Sequence, residues 1–84
     1  MDGIFFVYIL KGAKGRYIGC TTDIQKRIRQ HNEGFSRYTK NRGPWAIEWI
    51  SKSMSHTDAL ILEKKIKRQK GGAGLQQIMR EFGS

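Results

Sequence analysis

The sequence predicts a small domain mixing α and β structure, and three observations carry that prediction. Residues 4–10, 16–20 and 45–51 are rich in aromatic and β-branched side chains, as strands are. Two other stretches open on capping signals, one at Thr22 and one at Ser55, ahead of apolar residues at helical spacing. A third stretch, residues 75–82, sets Leu75, Ile78, Met79 and Phe82 on one helical face. All of this lies in 84 residues, which predicts one domain spanning 1–84. A chain of this size buries only roughly 60% of its unfolded surface, so its core is small.

Taken in order, "IFFVYIL" and "RYIGC" are joined by "KGAKG", whose glycines suit a tight turn, and together they read as a β-hairpin. Thr22 followed by Gln25 forms a capping box, so a helix is expected from about Asp23 to the stop signal at Asn32 to Gly34. "FSRYTKNRGPW" is polar and holds the single proline, which predicts a loop exposing Arg37, Lys40 and Arg42. "WAIEWIS" alternates well enough for a third strand, with Trp45 and Trp49 on one face and at least one of them in the core. Ser55 and Asp58 then open a helix through "DALILEKKIKRQK" that should stop at Gly71 and Gly72. His56 is expected to be exposed beside that cap.

Sixteen Lys and Arg against seven Asp and Glu give a formal charge of +9, which argues against an ordinary small enzyme of neutral metabolites and for a polyanionic partner. The single Cys20 has no partner for an internal disulfide, no apolar run approaches a membrane span, and an acid stands where a signal peptide needs bases. A reduced, cytoplasmic, soluble chain is the expectation. Two histidines and one cysteine are too few for a structural zinc site.

In the first helix Ile24 and Ile28 set the inward stripe. At 100° per residue Arg27 falls roughly 60° from Ile24 and His31 roughly 20°, while Lys26 and Arg29 point away. A guanidinium on the inward arc is unfavourable unless it meets an anion. Glu63 in the second helix lies roughly 70° from the mean direction of Ala59, Leu62 and Ile66, at the margin of the apolar face. An ion pair between Arg27 and Glu63 would explain both residues, and so would a site; spacing alone leaves the two open. Tyr8 and Tyr17 fall on neighbouring strands, and Gly19 lets backbone approach a ligand closely.

The order "VYIL", "YIG", Arg27, His31, Asn32, Gly34, "RGPW" and the "ALxxEKxIK" frame around Glu63 resembles the GIY-YIG nuclease superfamily. The likeness runs over about residues 6–70 and is to the small stand-alone branch, similar to the nuclease domain of the bacterial excinuclease ABC system and to structure-specific endonucleases. It implies an α+β fold, a three-stranded antiparallel sheet flanked by helices, that cuts phosphodiester bonds with one Mg²⁺ or Mn²⁺. Glu63 would be the sole carboxylate ligand. Tyr8 would help deprotonate or orient the attacking water, and Tyr17 would position that water or the phosphate. Arg27 would stabilise the phosphorane, and His31 would assist proton transfer or bind phosphate. A tyrosinate at neutral pH requires a shift of about three units from its usual pKa near 10, or about 4 kcal/mol of preferential stabilisation. With one carboxylate as anchor, metal and nucleic acid are expected to bind with positive coupling. Two positions depart from the pattern: Phe6 and Val7 replace the first Gly-Ile, and Cys20 stands where many relatives carry lysine. Cys20 itself reads as a small buried apolar residue rather than a nucleophile.

"KKIKRQK" adds Lys64, Lys67 and Arg68, which with Arg16, Arg37, Lys40 and Arg42 could form a sequence-neutral phosphate track, unless the run is simply a solvated face. The leading expectation is a metal-dependent DNA endonuclease of repair or processing, sensing shape rather than base sequence, with RNA as a possible substrate. The alternative is a nucleic-acid-binding accessory module that keeps the scaffold and cuts little. A basic scaffold with no nucleic-acid role is the third.

Overall fold

The computed structural model of the chain describes residues 4–34, 43–69 and 72–84. Element order is β1 (Phe6–Gly12), β2 (Gly15–Thr21), α1 (Ile24–Asn32), β3 (Ala46–Ile50), α2 (His56–Arg68) and α3 (Gly72–Phe82). The three strands form an antiparallel sheet in the order β2-β1-β3, so the α+β architecture expected from the sequence is present.

β1 is central because its side chains serve both faces: Val7, Tyr8, Ile9 and Leu10 are all buried. Val7 and Ile9 join Ala59, Leu62 and Ile66 of α2 and Leu75 and Ile78 of α3 in the main core. Tyr8 and Leu10 point the other way and form a second cluster with Trp45, against which Tyr17, Ile24 and Ile28 pack. The alternation of one strand thus assigns α1 to one face of the sheet and α2 and α3 to the other. β2 pairs with β1 alone within this sheet, so it forms an edge.

Asp23, not Thr22, caps α1: its side chain accepts from the Lys26 backbone N–H at 3.1 Å. Thr21 instead closes the entry turn, accepting from the Asp23 N–H. A carboxylate at a helix N-terminus adds favourable charge to the cap, which explains why Asp23 prevails over its hydroxyl neighbour. Ser55 caps α2 as expected, accepting from Asp58 at 3.1 Å. That helix ends at Arg68, before the predicted glycines, with Gln69 in extended backbone. α3 begins at Gly72, a turn earlier than residue 75, where the amphipathic spacing starts.

Trp45 and Trp49 do not share a face. Trp45 packs in the cluster beneath α1, while Trp49 packs against the main core and donates from its indole to the Met79 carbonyl at 2.9 Å. The register of β3 on β1 shifts between Ile9, opposite Trp49, and Leu10, opposite Ile47, so one residue of β3 bulges and reverses the parity beyond it.

Ser51 follows β3 and is fully buried. Its hydroxyl accepts from the Val7 backbone N–H at 2.9 Å and donates to the Lys52 carbonyl at 2.8 Å, while its own N–H donates to the Val7 carbonyl. Ser51→Ala leaves a buried Val7 N–H without its acceptor and should lower stability by about 1–3 kcal/mol. Ser53→Ala, at an exposed position, should change it little. Urea unfolding of both variants checks this, and equal effects would contradict the assigned role.

Candidate active site

Tyr8 is the innermost part of the site, 2% exposed in the centre of β1. Its register partner across the hairpin is Gly19. A Cβ on Gly19 would stand 2.7 Å from the Tyr8 Oη, 2.9 Å from its Cζ and 3.2 Å from Tyr17 Cε2, so only glycine lets both phenols take these positions. The glycine of "YIG" is thus required for side-chain space, and the approaching group is the protein's own tyrosine.

From α1, Arg27 Nε donates to Tyr8 Oη at 3.3 Å, and His31 Nε2 lies 3.0 Å from the same oxygen. Arg27 also donates to Gln30 at 3.2 Å and interacts with Tyr17. Arg27 can only donate, so the arrangement that serves all three groups has Tyr8 accepting from Arg27 and donating to an unprotonated His31 Nε2. The electrostatics agree. Burial, then the nearby Arg27 charge, hold His31 below the usual histidine range. Burial pushes the Tyr8 phenol up to about 12 against the opposing pull of Arg27, so it stays a neutral hydroxyl at pH 7. His31 is itself 2% exposed and tilts against the Tyr17 ring, with centroids 4.7 Å apart.

Tyr17 is only partly buried. It lines an open depression with Arg16, Ile18 and Lys67. A second depression is lined by Cys20 together with Thr21, Asp23, Lys26 and Arg27.

Glu63 comes from α2, on the opposite face of the sheet, and the two faces meet at the edge strand β2. Its carboxylate accepts from Lys67 Nζ at 2.7 Å. The Cys20 thiol rests against it: burial, then the Glu63 charge and hydrogen bond, push that thiol up, while Lys67 and Arg27 pull the other way. Cys20 is thus within electrostatic reach of both Glu63 and Arg27. The Arg27–Glu63 ion pair left open by the sequence is not formed, since each has other partners. Among the described residues no group of three or more His, Cys, Asp and Glu gathers. Glu63 offers a hard oxygen donor, and a cation resting on it would need oxygens of water or phosphate to complete its shell.

The expected phosphate track is only partly brought together. Lys64 and Arg68 lie exposed on α2, and Lys67 turns to Glu63. Arg16 is engaged by Glu48 through two contacts of 2.7 and 2.9 Å. Arg37, Lys40 and Arg42 lie outside the described residues. Asn32 belongs to the sequence motif without an assigned role, and the structure supplies one. Its side chain accepts from the Trp45 N–H at 2.7 Å and donates to the Trp45 carbonyl at 3.2 Å, fixing the chain that enters β3 beside Tyr17. Gln30 is a further site residue that the sequence reading does not mark, although its i,i+3 spacing from Arg27 signals the contact. His56, as expected, is exposed, and it stacks on Phe5.

Comparison with known proteins identifies a family. Residues 4–76 match the family model described as the GIY-YIG catalytic domain. A UPF0213 protein of Nitratidesulfovibrio vulgaris is 37% identical over 70 residues, covering 81% of this chain and 64% of that relative. One from Syntrophus aciditrophicus is 36% identical over 76 residues, 87% of each chain. The UPF0213 protein OB0043 of Oceanobacillus iheyensis is 31% identical over 70 residues, 81% of each. The first of these relatives is thus spanned over less than two thirds of its length. No solved structure matches significantly.

Two outcomes test the geometry. Gly19→Ala should destabilise by about 1–3 kcal/mol and displace both phenols, because the new methyl meets the Tyr8 ring and not a flexible tip; tyrosine ring NMR shifts unchanged from wild type would contradict it. His31 binds a proton more readily in the unfolded chain than in the folded one. Stability should therefore be intact above the ordinary value of 6.5 and fall as the pH drops through the lower folded value. In His31→Gln that acid-dependent loss should shrink, whatever the variant's stability at neutral pH. Urea midpoints measured from neutral to mildly acidic pH report it, and parallel profiles for the two proteins would rule it out.

Proposed function

The chain belongs to the GIY-YIG family of nucleases, and from that premise we propose that it is a divalent-metal-dependent endonuclease hydrolysing phosphodiester bonds in DNA. It selects substrate structure over base sequence and serves repair or processing of DNA. The observation that carries this reading is the Arg27 guanidinium, held by Tyr8 and turned toward Tyr17, with Glu63 meeting the same strand edge beside Cys20.

Tyr17, the phenol that lines an open depression, orients the attacking water by accepting its hydrogen bond, and the water's proton passes to solvent as the new P–O bond forms. Arg27 meets the non-bridging oxygens, where negative charge grows in the transition state. Tyr8 is too buried to handle water and acts as a positioning residue, with His31 as its acceptor. The leaving alkoxide is protonated by solvent. Glu63 would hold the cation, which when bound supplies Lewis-acid stabilisation of the phosphate and acidifies water. Exposed Lys64 and Arg68, with a formal charge of +9, favour a polyanion by sequence-neutral contacts. Among the described residues no helix is long and apolar enough to cross a membrane.

A second reading, an accessory nucleic-acid-binding module, draws on Cys20 and on the ammonium covering Glu63. A panel of labelled flapped, branched and single-stranded DNA and RNA with Mn²⁺ separates the two. The nuclease reading predicts nicking of at least one structure, its loss in Glu63→Ala with most DNA affinity kept, and a drop of about a hundredfold in Arg27→Lys, whose ammonium lacks the fork. Wild type that binds every substrate and cuts none would select the binding module.

A further inference from the structure

We propose that Lys67 is a tethered counter-cation, holding the Glu63 carboxylate in the substrate-free protein and yielding it to the metal when a phosphodiester draws the ammonium away. The inference rests on Glu63 being the metal anchor. Four observations lead to it. Lys67 Nζ lies 2.7 Å from Glu63 Oε2, close enough to take the place of an incoming ion. The Glu63 side chain is only 18% exposed while that of Lys67 is 54% exposed, so the ammonium sits on the solvent side of the carboxylate. Lys67 lines the same depression as Tyr17, where the proposed substrate phosphate would sit. Its charge reaches both Tyr17 and Cys20, placing it inside the site and not merely along the outer face of α2.

The physical consequence is an order of binding. A divalent ion on Glu63 and the ammonium in its present place would be two cations in near contact, and such a pair is strongly repulsive. A phosphodiester supplies the missing negative charge. The flexible four-carbon stem lets Lys67 move from carboxylate to phosphate with no change in the backbone of α2. The metal would then load together with nucleic acid, and the free protein would stay largely metal-free. An i,i+4 pair that only supports the helix has no such consequence.

Binding of Mn²⁺ to the free protein, followed by the EPR signal of unbound Mn²⁺, tests this with circular dichroism to verify folding. Lys67→Met should bind Mn²⁺ roughly threefold to tenfold more tightly than wild type, the range expected when a partly exposed competing ion pair is removed. Lys64→Met, which loses the same charge at the residue next to Glu63 but about 100° around the helix, should change binding much less. Lys67→Arg should keep the ion excluded. The gain should vanish in Lys67→Met with Glu63→Gln. If Lys67→Met binds no tighter than Lys64→Met, the counter-cation proposal fails while Glu63 as anchor is untouched. If the gain survives Glu63→Gln, the ion sits elsewhere, and the anchor assignment falls together with the proposal.

Discussion

The hydroxyl of Tyr8 is the point on which the candidate site depends. Buried beneath α1, it accepts from Arg27 and faces His31, so one oxygen fixes two residues of a neighbouring helix. Isolated, each of the three groups would be poorly placed in the interior: a phenol without a partner, a charge on an inward arc, an imidazole cut off from water. Together they satisfy one another, and no buried side-chain nitrogen or oxygen among the described residues lacks a partner. The raised phenol and the lowered imidazole are the electrostatic trace of that closure, keeping the Tyr8–His31 pair uncharged while Arg27 keeps its charge.

The rest of the architecture follows from presenting that charge at an edge. β1 divides its side chains between two cores, so α1 and the pair α2 and α3 lie on opposite faces. Groups from the two faces can meet only where the sheet stops, and β2 is the boundary on this side. Gly19 supplies the space for both phenols, and Cys20, the next residue, points to the other face and touches Glu63. Adjacent residues of one strand thereby connect the α1 half of the site to the α2 half. Asn32 does the corresponding work at the far end of α1, holding the backbone of Trp45 where a strand neighbour would otherwise be needed.

Much of this is legible in the residues. Angular position on a helix is enough to mark Arg27, His31 and Glu63 as polar groups at an apolar margin, and strand composition is enough to place Tyr8 beside Tyr17. Ser55 announces the second helix by its spacing from Asp58. Tertiary context decides the remainder. A bulge in β3 reverses the parity of Trp45 and Trp49, which strict alternation cannot foresee. Two adjacent residues could each cap α1, and the carboxylate prevails. Spacing cannot say whether Arg27 pairs with Glu63, because that depends on the sheet lying between their helices. It cannot separate the two tyrosines either: both stand in strands, but only the central strand buries its phenol completely. Ser51 is silent in the sequence because a serine at a strand end gives no sign that it will replace a backbone acceptor.

The central claim is that Tyr8 and Arg27 act as one unit, and a double-mutant cycle in unfolding free energy measures it most directly. Tyr8→Phe, Arg27→Met and the double variant should show a coupling of about 0.5–3 kcal/mol, because removing either partner already forfeits what the other contributes. Strictly additive effects of the two substitutions would mean that the phenol does not hold the guanidinium, and the account of the site built on that contact would be wrong.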